Sequence, residues 1–380
     1  MKLSIFQDSL YFHMSILLSL FYFFYFSIIG VYVIFMPKVL STIGYSAEEI
    51  GVIFAAGPLV RFILPFLFIK GFKLDNRTFN IALIIMLASS FSFYHSVESF
   101  YKLLFSNIFL GVGLSLILPY IEVIALENIG KEKYGRVRLF GSIGFVLVSL
   151  VLVRYSQDPH NALSFLLTLN FVTAGVAFVI ARVMHKKQEK EKTAVANDIS
   201  LLRDWKLWAG LVLMQVSFGA FYNFFTIYAT DNGISMESTI YLWSFGVFCE
   251  IVMLYYQGQF LKNNLLLVLQ ITMVLTVFRW LLLYMFIDNL YLLYFSQSLH
   301  AFSFALFHSA AITYLYQLYA NKALAQQFFS GVTYGLGGFS GALFAGYVYE
   351  NYPEYLFLLA AFFVFVGFVF LSFWKREANR

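Results

Sequence analysis

Twelve apolar segments of membrane-spanning length, separated by short polar stretches, constrain this chain more than any other feature of its sequence. A helix needs about 20 mostly apolar residues to cross the hydrocarbon core of a bilayer. The predicted spans cover residues 9–36, 48–70, 77–96, 99–124, 138–155, 161–183, 205–230, 238–260, 265–287, 289–318, 324–349 and 354–374. Only 12% of the residues are charged, whereas a soluble domain carries about 25%. The sequence therefore predicts an all-α membrane protein.

Composition also excludes several other classes of protein. The apolar segments are too long for the strands of about 10 residues that build a transmembrane barrel. Cys249 is the single cysteine, so an internal disulfide and a multi-cysteine metal site are excluded. The basic residues lie in short loops rather than in one patch, which argues against nucleic acid as a partner. Lys2 is followed by a long apolar run without an Ala-x-Ala site, so we expect a retained first span rather than a cleaved signal peptide.

The distribution of lysine and arginine predicts the orientation of the chain. Loops on the cytoplasmic side of a membrane carry an excess of these residues. One set of loops holds the central linker and most of the basic residues, namely Lys2, Lys70, Lys73, Arg77, Lys131, Lys133, Arg136, Arg138, Lys262, Lys322, Lys375, Arg376 and Arg380. The opposite set holds only Lys38, Lys102 and Arg154. Both termini are therefore expected to be cytoplasmic, which agrees with an even number of spans.

The longest polar stretch runs from Arg182 to Asp204 and divides the spans into two groups of six. We expect an N-terminal six-helix bundle over 1–183, a cytoplasmic linker over 184–204 and a C-terminal six-helix bundle over 205–380. The two halves echo each other weakly, since "IKGFKLDNR" after the second span aligns with "YQGQFLKNN" after the eighth. Two groups of six spans joined by a basic linker are typical of a duplicated transporter with its site between the halves.

Charged residues inside the predicted spans are the first candidates for function. Each costs about 2.5–3.5 kcal/mol at the bilayer centre, so it is expected to face the protein interior and to have a partner. From a rise of about 1.5 Å per residue, Glu250 in span eight and Arg279 in span nine lie at similar depths. We expect an ion pair between them, and a second pair between Glu122 and Arg138 beside the loop from span four to span five. Each pair admits a purely structural reading as well as a role in coupling proton flow to solute flow.

Two histidines, His300 and His308, lie in the otherwise apolar stretch "SLHAFSFALFH". Eight residues place them about 80° apart around a helix, so they can line one cavity at two depths. Histidine titrates near neutral pH and can relay protons. The alternative is a packed imidazole that only bonds to a neighbouring helix. This spacing does not suit two metal ligands on one helix, so neither a metal nor another cofactor is expected.

The remaining candidates are polar, aromatic or small residues within the spans. Tyr25 in span one, Asn223 in span seven and Gln297 in span ten are candidate substrate ligands. Gly335 and Gly338 belong to the glycine-rich span eleven, where small residues let helices approach closely and slide. Packing and gating are both open readings of these two glycines.

Four stretches resemble the major facilitator superfamily, and within it the phenylpropionate permease-like branch, which is related to lactose permease and the nucleoside–proton symporters. They are "KYGRVRLFGSIGF", "FRW", "SLHAFSFALFHSA" and "QQFFSGVTYGLGGFSGALFAGYVYE". The resemblance implies two six-helix bundles with inverted repeats that rock about a central cavity. It implies that Glu122 and Arg138 form a substrate-side pair and that Glu250, Arg279, His300 and His308 form a proton-coupling cluster.

The sequence departs from the superfamily pattern at two places. The loop "GFKLDNRTFN" keeps Gly71, Asp75 and Arg77 of the cytoplasmic signature but lacks its second part. We expect these three residues, with Arg61 in span two, to have structural or gating roles. No acidic residue follows the span-ten histidines within one turn, unlike in lactose permease, so Glu250 is expected to carry more of the proton chemistry.

We therefore expect a monomeric, multi-pass permease of the bacterial inner membrane that imports a small organic solute with protons by alternating access. Intramembrane arginines and abundant aromatic residues favour an aromatic carboxylic acid. A sugar or nucleoside symporter and a uniporter of the same fold are alternatives. An intramembrane enzyme that uses Ser303 or Ser309 with a histidine base, or a lipid flippase, is a more distant alternative.

Overall fold

The computed structural model describes residues 2–155, 158–183, 199–262 and 264–374. In these ranges the chain is all-helical and contains no strand. Eleven helices within them are long and apolar enough to cross a membrane. The glycine-rich segment that was predicted as a further span is also helical, although it is not one of these eleven. The prediction of an all-α membrane protein is confirmed.

We number these eleven helices and the glycine-rich helical segment together in chain order. The first six are α1 (Lys2–Gly30, continued by Val31–Phe35 and Met36–Ile43), α2 (Ala47–Ile69), α3 (Asn76–His95), α4 (Phe100–Gly130), α5 (Tyr134–Tyr155) and α6 (Pro159–Val183). The next three are α7 (Trp205–Asp231), α8 (Met236–Tyr256) and α9 (Leu265–Met285). The last three are α10 (Leu290–Leu318), α11 (Lys322–Phe328, continued by Phe329–Leu336 and Gly337–Asn351) and α12 (Leu356–Ser372).

Three of these helices contain a π-helical segment. The segments are Val31–Phe35 in α1, Ala301–Leu306 in α10 and Phe329–Leu336 in α11. A π-helix bonds residue i to residue i+5 and turns less per residue than an α-helix, so it changes the direction of the side chains that follow. Such segments occur frequently at functional sites.

The chain divides into two compact units. The first contains the described residues of Met1–Gly44 and Phe68–Glu191, and the second contains those of Tyr45–Leu67 and Lys192–Arg380. Most of α2 therefore packs with the C-terminal helices. The division into bundles over 1–183 and 205–380 stays a prediction, and residues 184–198 of the predicted linker lie outside the described residues.

Within the first unit, α1 packs closely on α5 and α3 packs on α4. A Cβ at Gly144 would collide with the Phe23 carbonyl of α1, and a Cβ at Gly113 would lie 2.7 Å from the Met86 Cβ of α3. The small residues therefore let these helix pairs approach to backbone contact, as expected where lipid provides no hydrophobic drive for association.

Within the second unit, α2 and α11 run antiparallel along a contact that we call the α2–α11 seam. Its members on α11 are glycines, each of which faces α2: Gly331 opposite Pro65, Gly335 opposite Phe62, Gly338 opposite Pro58 and Gly346 opposite Gly51. A Cβ at Gly335 would lie 2.6 Å from the backbone nitrogen of Phe62. The predicted close approach at Gly335 and Gly338 is therefore present, with α2 as the neighbour.

The N-terminus of α2 is capped from two directions. Ser46 and Glu49 form the reciprocal capping box, since the Glu49 nitrogen donates to Ser46 Oγ at 3.2 Å and the Ser46 nitrogen donates to Glu49 Oε2 at 3.0 Å. Glu350, at the end of α11, accepts a hydrogen bond from the Ala47 nitrogen at 2.6 Å. A carboxylate at this position satisfies a free N–H group and complements the helix dipole.

The loop from α2 to α3 contains the three residues of the partial signature. Gly71 has a φ of 94°, a left-handed conformation that favours glycine at the end of a helix. Asp75 caps α3, because its Oδ1 accepts from the Thr78 nitrogen at 2.8 Å. Hydrogen bonds from Thr78 lower the pKa of the Asp75 carboxyl below its usual value. Arg77 is exposed in the first turn of α3.

Candidate functional site

A fully buried arginine organises the polar residues of the second unit. Arg279 on α9 has no exposed surface. Its Nη1 donates to Ser303 Oγ at 2.9 Å and lies 3.0 Å from His300 Nδ1, and its Nη2 donates to Gln297 Oε1 at 3.1 Å. Three polar groups of α10 thus surround one guanidinium, as the burial of a charge requires.

Aromatic rings enclose the same guanidinium. Arg279 Cζ lies 4.3 Å from the ring centroid of Phe221 and 4.4 Å from that of Trp280. Trp280 is held in turn by a 3.1 Å hydrogen bond from its Nε1 to Ser217 Oγ. The His300 ring stacks on Phe304 with an interplanar angle of 5°. Cation–π contacts of this kind gain strength in a desolvated site and help to fix the arginine in place.

The expected ion pair between Glu250 and Arg279 is wrong in its detail, because His300 lies between the two side chains. His300 Nε2 lies 3.6 Å from Glu250 Oε2, whereas its Nδ1 faces Arg279. The depth estimate correctly brought the two charged residues to one level. It could not show that an imidazole from α10 would occupy the space between α8 and α9. Gly246 on α8 faces the imidazole-bearing residue, since a Cβ there would lie 3.7 Å from the His300 Cβ, an ordinary contact distance.

Arg279, His300 and Glu250 lie in a row, and the hydrogen-bonding groups on either side of the His300 ring fix its tautomer. A guanidinium only donates hydrogen bonds, so Nδ1 of His300 must accept from Arg279. A neutral imidazole with an accepting Nδ1 carries its proton on Nε2, and that proton is directed at Glu250. A doubly protonated His300 would present an N–H group to the arginine, so protonation of His300 and its contact with Arg279 exclude each other.

Gln297, Ser303 and Ser296 complete what we call the Arg279 cluster, together with Glu250, Arg279 and His300. Ser296 Oγ donates to the Arg279 carbonyl at 3.2 Å. Among the described residues, Nε of Arg279 and Nε2 of Gln297 are buried without a hydrogen-bond partner. The sequence predicted Gln297 as a candidate ligand but not its bond to Arg279. Ser296 was missed, although it lies one helical turn before His300.

His308 is separate from the Arg279 cluster. Its side chain is exposed, and its Nδ1 lies 2.7 Å from the hydroxyl of Tyr334 on α11. The π-helical segment Ala301–Leu306 lies between the two histidines and changes their angular relation. Tyr334 was missed in the sequence, although it is the one aromatic hydroxyl inside the glycine-rich part of α11.

The first unit contains its own charged group. Arg138 Nε lies 3.9 Å from Glu122 Oε1, so the expected ion pair forms. Tyr134 donates to the same carboxylate oxygen at 3.1 Å, and the arginine Cζ lies 3.9 Å from the ring centroid of Phe26. Both charged side chains are about one-third exposed, at 33% for Arg138 and 31% for Glu122. Tyr134, inside the "KYGRVRLFGSIGF" stretch, is a further member that sequence reasoning missed.

The other predicted ligands have mainly structural contacts. Tyr25 is buried, and its hydroxyl donates to the Leu114 carbonyl at 3.1 Å. Asn223 is half-buried, and its Nδ2 donates to the Gly219 carbonyl one turn earlier at 3.0 Å. Their proposed roles in binding stay predictions. In the described part of the chain no three His, Cys, Asp or Glu residues come close enough together to hold a metal ion.

Comparisons with a family model and with known proteins find similarity over most of the chain. The model of the MFS_1 like family matches residues 15–359. A protein of Escherichia coli (strain K12) named "Probable 3-phenylpropionic acid transporter" is 26% identical over 349 residues, which cover 88% of this chain and 90% of that protein. The "Uncharacterized transporter YwbF" of Bacillus subtilis (strain 168) is 23% identical over 354 residues, with 88% and 87% covered.

Solved structures show the same fold. The crystal structure of the nucleoside transporter NupG superimposes with a TM-score of 0.81 at 17% identity, covering 95% of this chain and 100% of that chain. A bacterial homologue of the lysosomal transporter Spinster, in an inward-facing and occupied conformation, gives a TM-score of 0.69 at 11% identity. At these identities the likeness extends to the fold alone.

Proposed function

The chain belongs to the MFS_1 like family of membrane transporters, and from that premise we propose that it is a proton-coupled symporter that imports a small aromatic carboxylic acid. Its resemblance to the phenylpropionate permease-like branch of the major facilitator superfamily is confirmed by the relatives it matches. It is a multi-pass protein of the cell membrane and a transporter rather than an enzyme. The coupling ion and the substrate class are the proposed part.

The contacts that join Arg279, His300 and Glu250 in a row are the observation that supports proton coupling. Each member lies on a different helix, α9, α10 and α8 in turn. Glu250 has 16% of its side chain exposed, against 6% for His300, so the carboxylate is the more accessible of these two members. A proton that arrives at Glu250 neutralises the carboxylate and weakens its attraction for the His300 N–H group. The charge state of Glu250 therefore controls how firmly α8 is held to α10.

A proton on His300 would have a larger effect. Both ring nitrogens would then donate, and the contact between Nδ1 and Arg279 Nη1 would be lost. Two positive charges would face each other in a site that excludes water, where charge repulsion is strong. The row thus has two discrete arrangements, with and without the Arg279–His300 contact, and protonation selects between them. A transporter needs such a two-state element for coupling.

Three observations support an aromatic carboxylic acid as the substrate. The relative from Escherichia coli is named for 3-phenylpropionic acid. Away from the helix ends, the spans of the second unit carry two arginines, Arg61 and Arg279, and one carboxylate, Glu250. Ring systems such as those of Phe218, Tyr222 and Phe304 are abundant around the Arg279 cluster.

The proposal is tested by reconstituting the full chain in proteoliposomes with labelled 3-phenylpropionate. An inward proton gradient should drive accumulation above the external concentration, and addition of the acid should alkalinise the medium. The Glu250→Gln variant, which removes the titratable group at nearly constant volume, should exchange substrate at the wild-type rate but fail to accumulate it. Accumulation by Glu250→Gln equal to wild type would refute this coupling site. Transport without alkalinisation would show a uniporter.

A further inference from the structure

Arg61 is a charged residue within a membrane-length helix, and it does not belong to the Arg279 cluster. It is the fifteenth of the 23 residues of α2, about 12 Å of helix rise from the end at Ile69. Its side chain is exposed. Among the described residues it forms neither an ion pair nor a hydrogen bond, in contrast to Arg138 and Arg279. A guanidinium inside a membrane span is costly and normally marks a path for ions or substrate.

The α2–α11 seam determines where this guanidinium is placed. Phe62 meets Gly335 at backbone distance, and Pro65 meets Gly331. Arg61 and Tyr334 each precede the Phe62–Gly335 contact by one residue. Because the two helices run antiparallel, residues that precede a contact on both helices lie on the same flank of the seam. Arg61 and Tyr334 are therefore neighbours across it, and the charge of Arg61 acts on the Tyr334 hydroxyl.

Tyr334 connects Arg61 to the exposed histidine of α10. Its hydroxyl lies 2.7 Å from His308 Nδ1, and the His308 ring lies 5.6 Å from the Tyr334 ring. Glu250 also acts on the Tyr334 hydroxyl, so the Arg279 cluster lies within electrostatic range of the same group. Arg61, Tyr334 and His308 thus come from three helices; since the 2.7 Å contact uses one hydrogen of the Tyr334–His308 pair, a neutral pair offers one further donor in addition to the Arg61 guanidinium.

We propose that Arg61, Tyr334 and His308 form the subsite that binds the carboxylate of the transported acid. This inference rests on the proposed function and assigns the residues that would recognise the substrate anion. A guanidinium presents paired N–H groups that match the two oxygens of a carboxylate, and the bonds are charge-assisted. The seam fixes the backbone at Arg61, while its long side chain remains free to reach the anion.

The subsite also links substrate binding to the row formed by Arg279, His300 and Glu250. A carboxylate at Arg61 places a negative charge near Tyr334, within range of Glu250. Two anions in one poorly solvated region repel each other, which opposes binding of the acid while Glu250 carries its charge. Binding of the acid and uptake of a proton would then reinforce each other, as a symporter requires.

Binding to purified full-length protein tests the inference with two probes that share a phenylpropyl skeleton, 3-phenylpropionate and the neutral 3-phenylpropan-1-ol. Wild type should bind the acid more tightly than the alcohol. Arg61→Gln should weaken the acid at least about tenfold and leave the alcohol unchanged, because only the acid loses a charge-assisted bond. Arg61→Lys should retain part of the preference, since it keeps the charge but not the paired donors. The exposed Arg154, at the end of α5, provides the control Arg154→Gln, which should bind like wild type.

The outcomes separate the two proposals. If wild type binds the acid and Arg61→Gln binds it equally well, Arg61 only extends toward lipid head groups and the subsite is refuted. If wild type binds no aromatic carboxylate, both the substrate class and the subsite are refuted. If Arg61→Gln fails to fold, as judged by size-exclusion profile and thermal unfolding, Arg61→Lys and Tyr334→Phe decide the question. Unchanged preference for the acid in both of these variants refutes the subsite.

Discussion

Truncation of Arg279 to alanine tests whether the Arg279 cluster is as tightly built as its geometry indicates. The variant loses three hydrogen bonds from a charged donor, each contributing about 1.5–3 kcal/mol. The simple sum overstates the effect, because the change also removes the desolvation cost of the guanidinium. Removal of one member of a buried charged group costs about 3–5 kcal/mol in measured cases, and we expect a loss of unfolding free energy in that range.

Denaturation by sodium dodecyl sulfate in mixed micelles measures this loss, with helical circular dichroism as the signal. The double variant Arg279→Ala with Glu250→Ala should lose less than the sum of the two single variants, because both side chains contact His300 and each single change already disturbs that shared neighbour. Arg154→Ala, at the exposed end of α5, is the matched control and should stay close to wild type. An Arg279→Ala variant within 1 kcal/mol of wild type, or strictly additive losses, would contradict the reasoning (threshold set at about the size of one ordinary hydrogen bond).

Two further predictions concern packing and pH. Gly335→Ala should lower the melting temperature and slow transport, because the added Cβ would lie 2.6 Å from the Phe62 nitrogen. Gly57→Ala on α2 is the control, since its added Cβ would have no atom within 4 Å and the melting temperature should stay at the wild-type value. The lowered pKa of Asp75 means that its cap stabilises the fold above the unfolded-state pKa of about 3.9 and is lost as pH falls through the lower folded-state value. The melting-temperature gap between wild type and Asp75→Asn should therefore narrow below about pH 4, and a constant gap would exclude this cap as the cause.

Local features were predictable because their physics is local. The bilayer core contains no water to hydrogen-bond with backbone groups, so a long apolar segment must satisfy them internally. A helix does this, and long apolar runs therefore indicate helices directly. The Ser46–Glu49 capping box needs only four consecutive residues, and both of its reciprocal hydrogen bonds form. The Glu122–Arg138 pair needs only a short loop between two helices. Depth along a helix follows from a fixed rise, which is why Glu250 and Arg279 were correctly placed at one level.

Contacts between distant segments were not predictable in the same way. Helical periodicity placed His300 and His308 on one surface, but the π-helical segment between them is a response to packing and leaves no clear signature in the sequence. His300 therefore joins Arg279, while His308 bonds to Tyr334 on another helix. The packing of α2 on α11 also depends on which glycines contact which backbone segment. The positions of small residues in the sequence do not show which helix will lie against them.

By itself, the sequence determined that the chain is a helical membrane protein, where most of its helices lie and which ionisable side chains they carry. Hydropathy and helical rise are properties of single segments, so they can be derived from the order of the residues alone. The tertiary structure alone decided that His300 separates Glu250 from Arg279 and that Arg61 lies beside Tyr334. These are relations among side chains on different helices, and they follow from how the side chains of several helices fill one shared space.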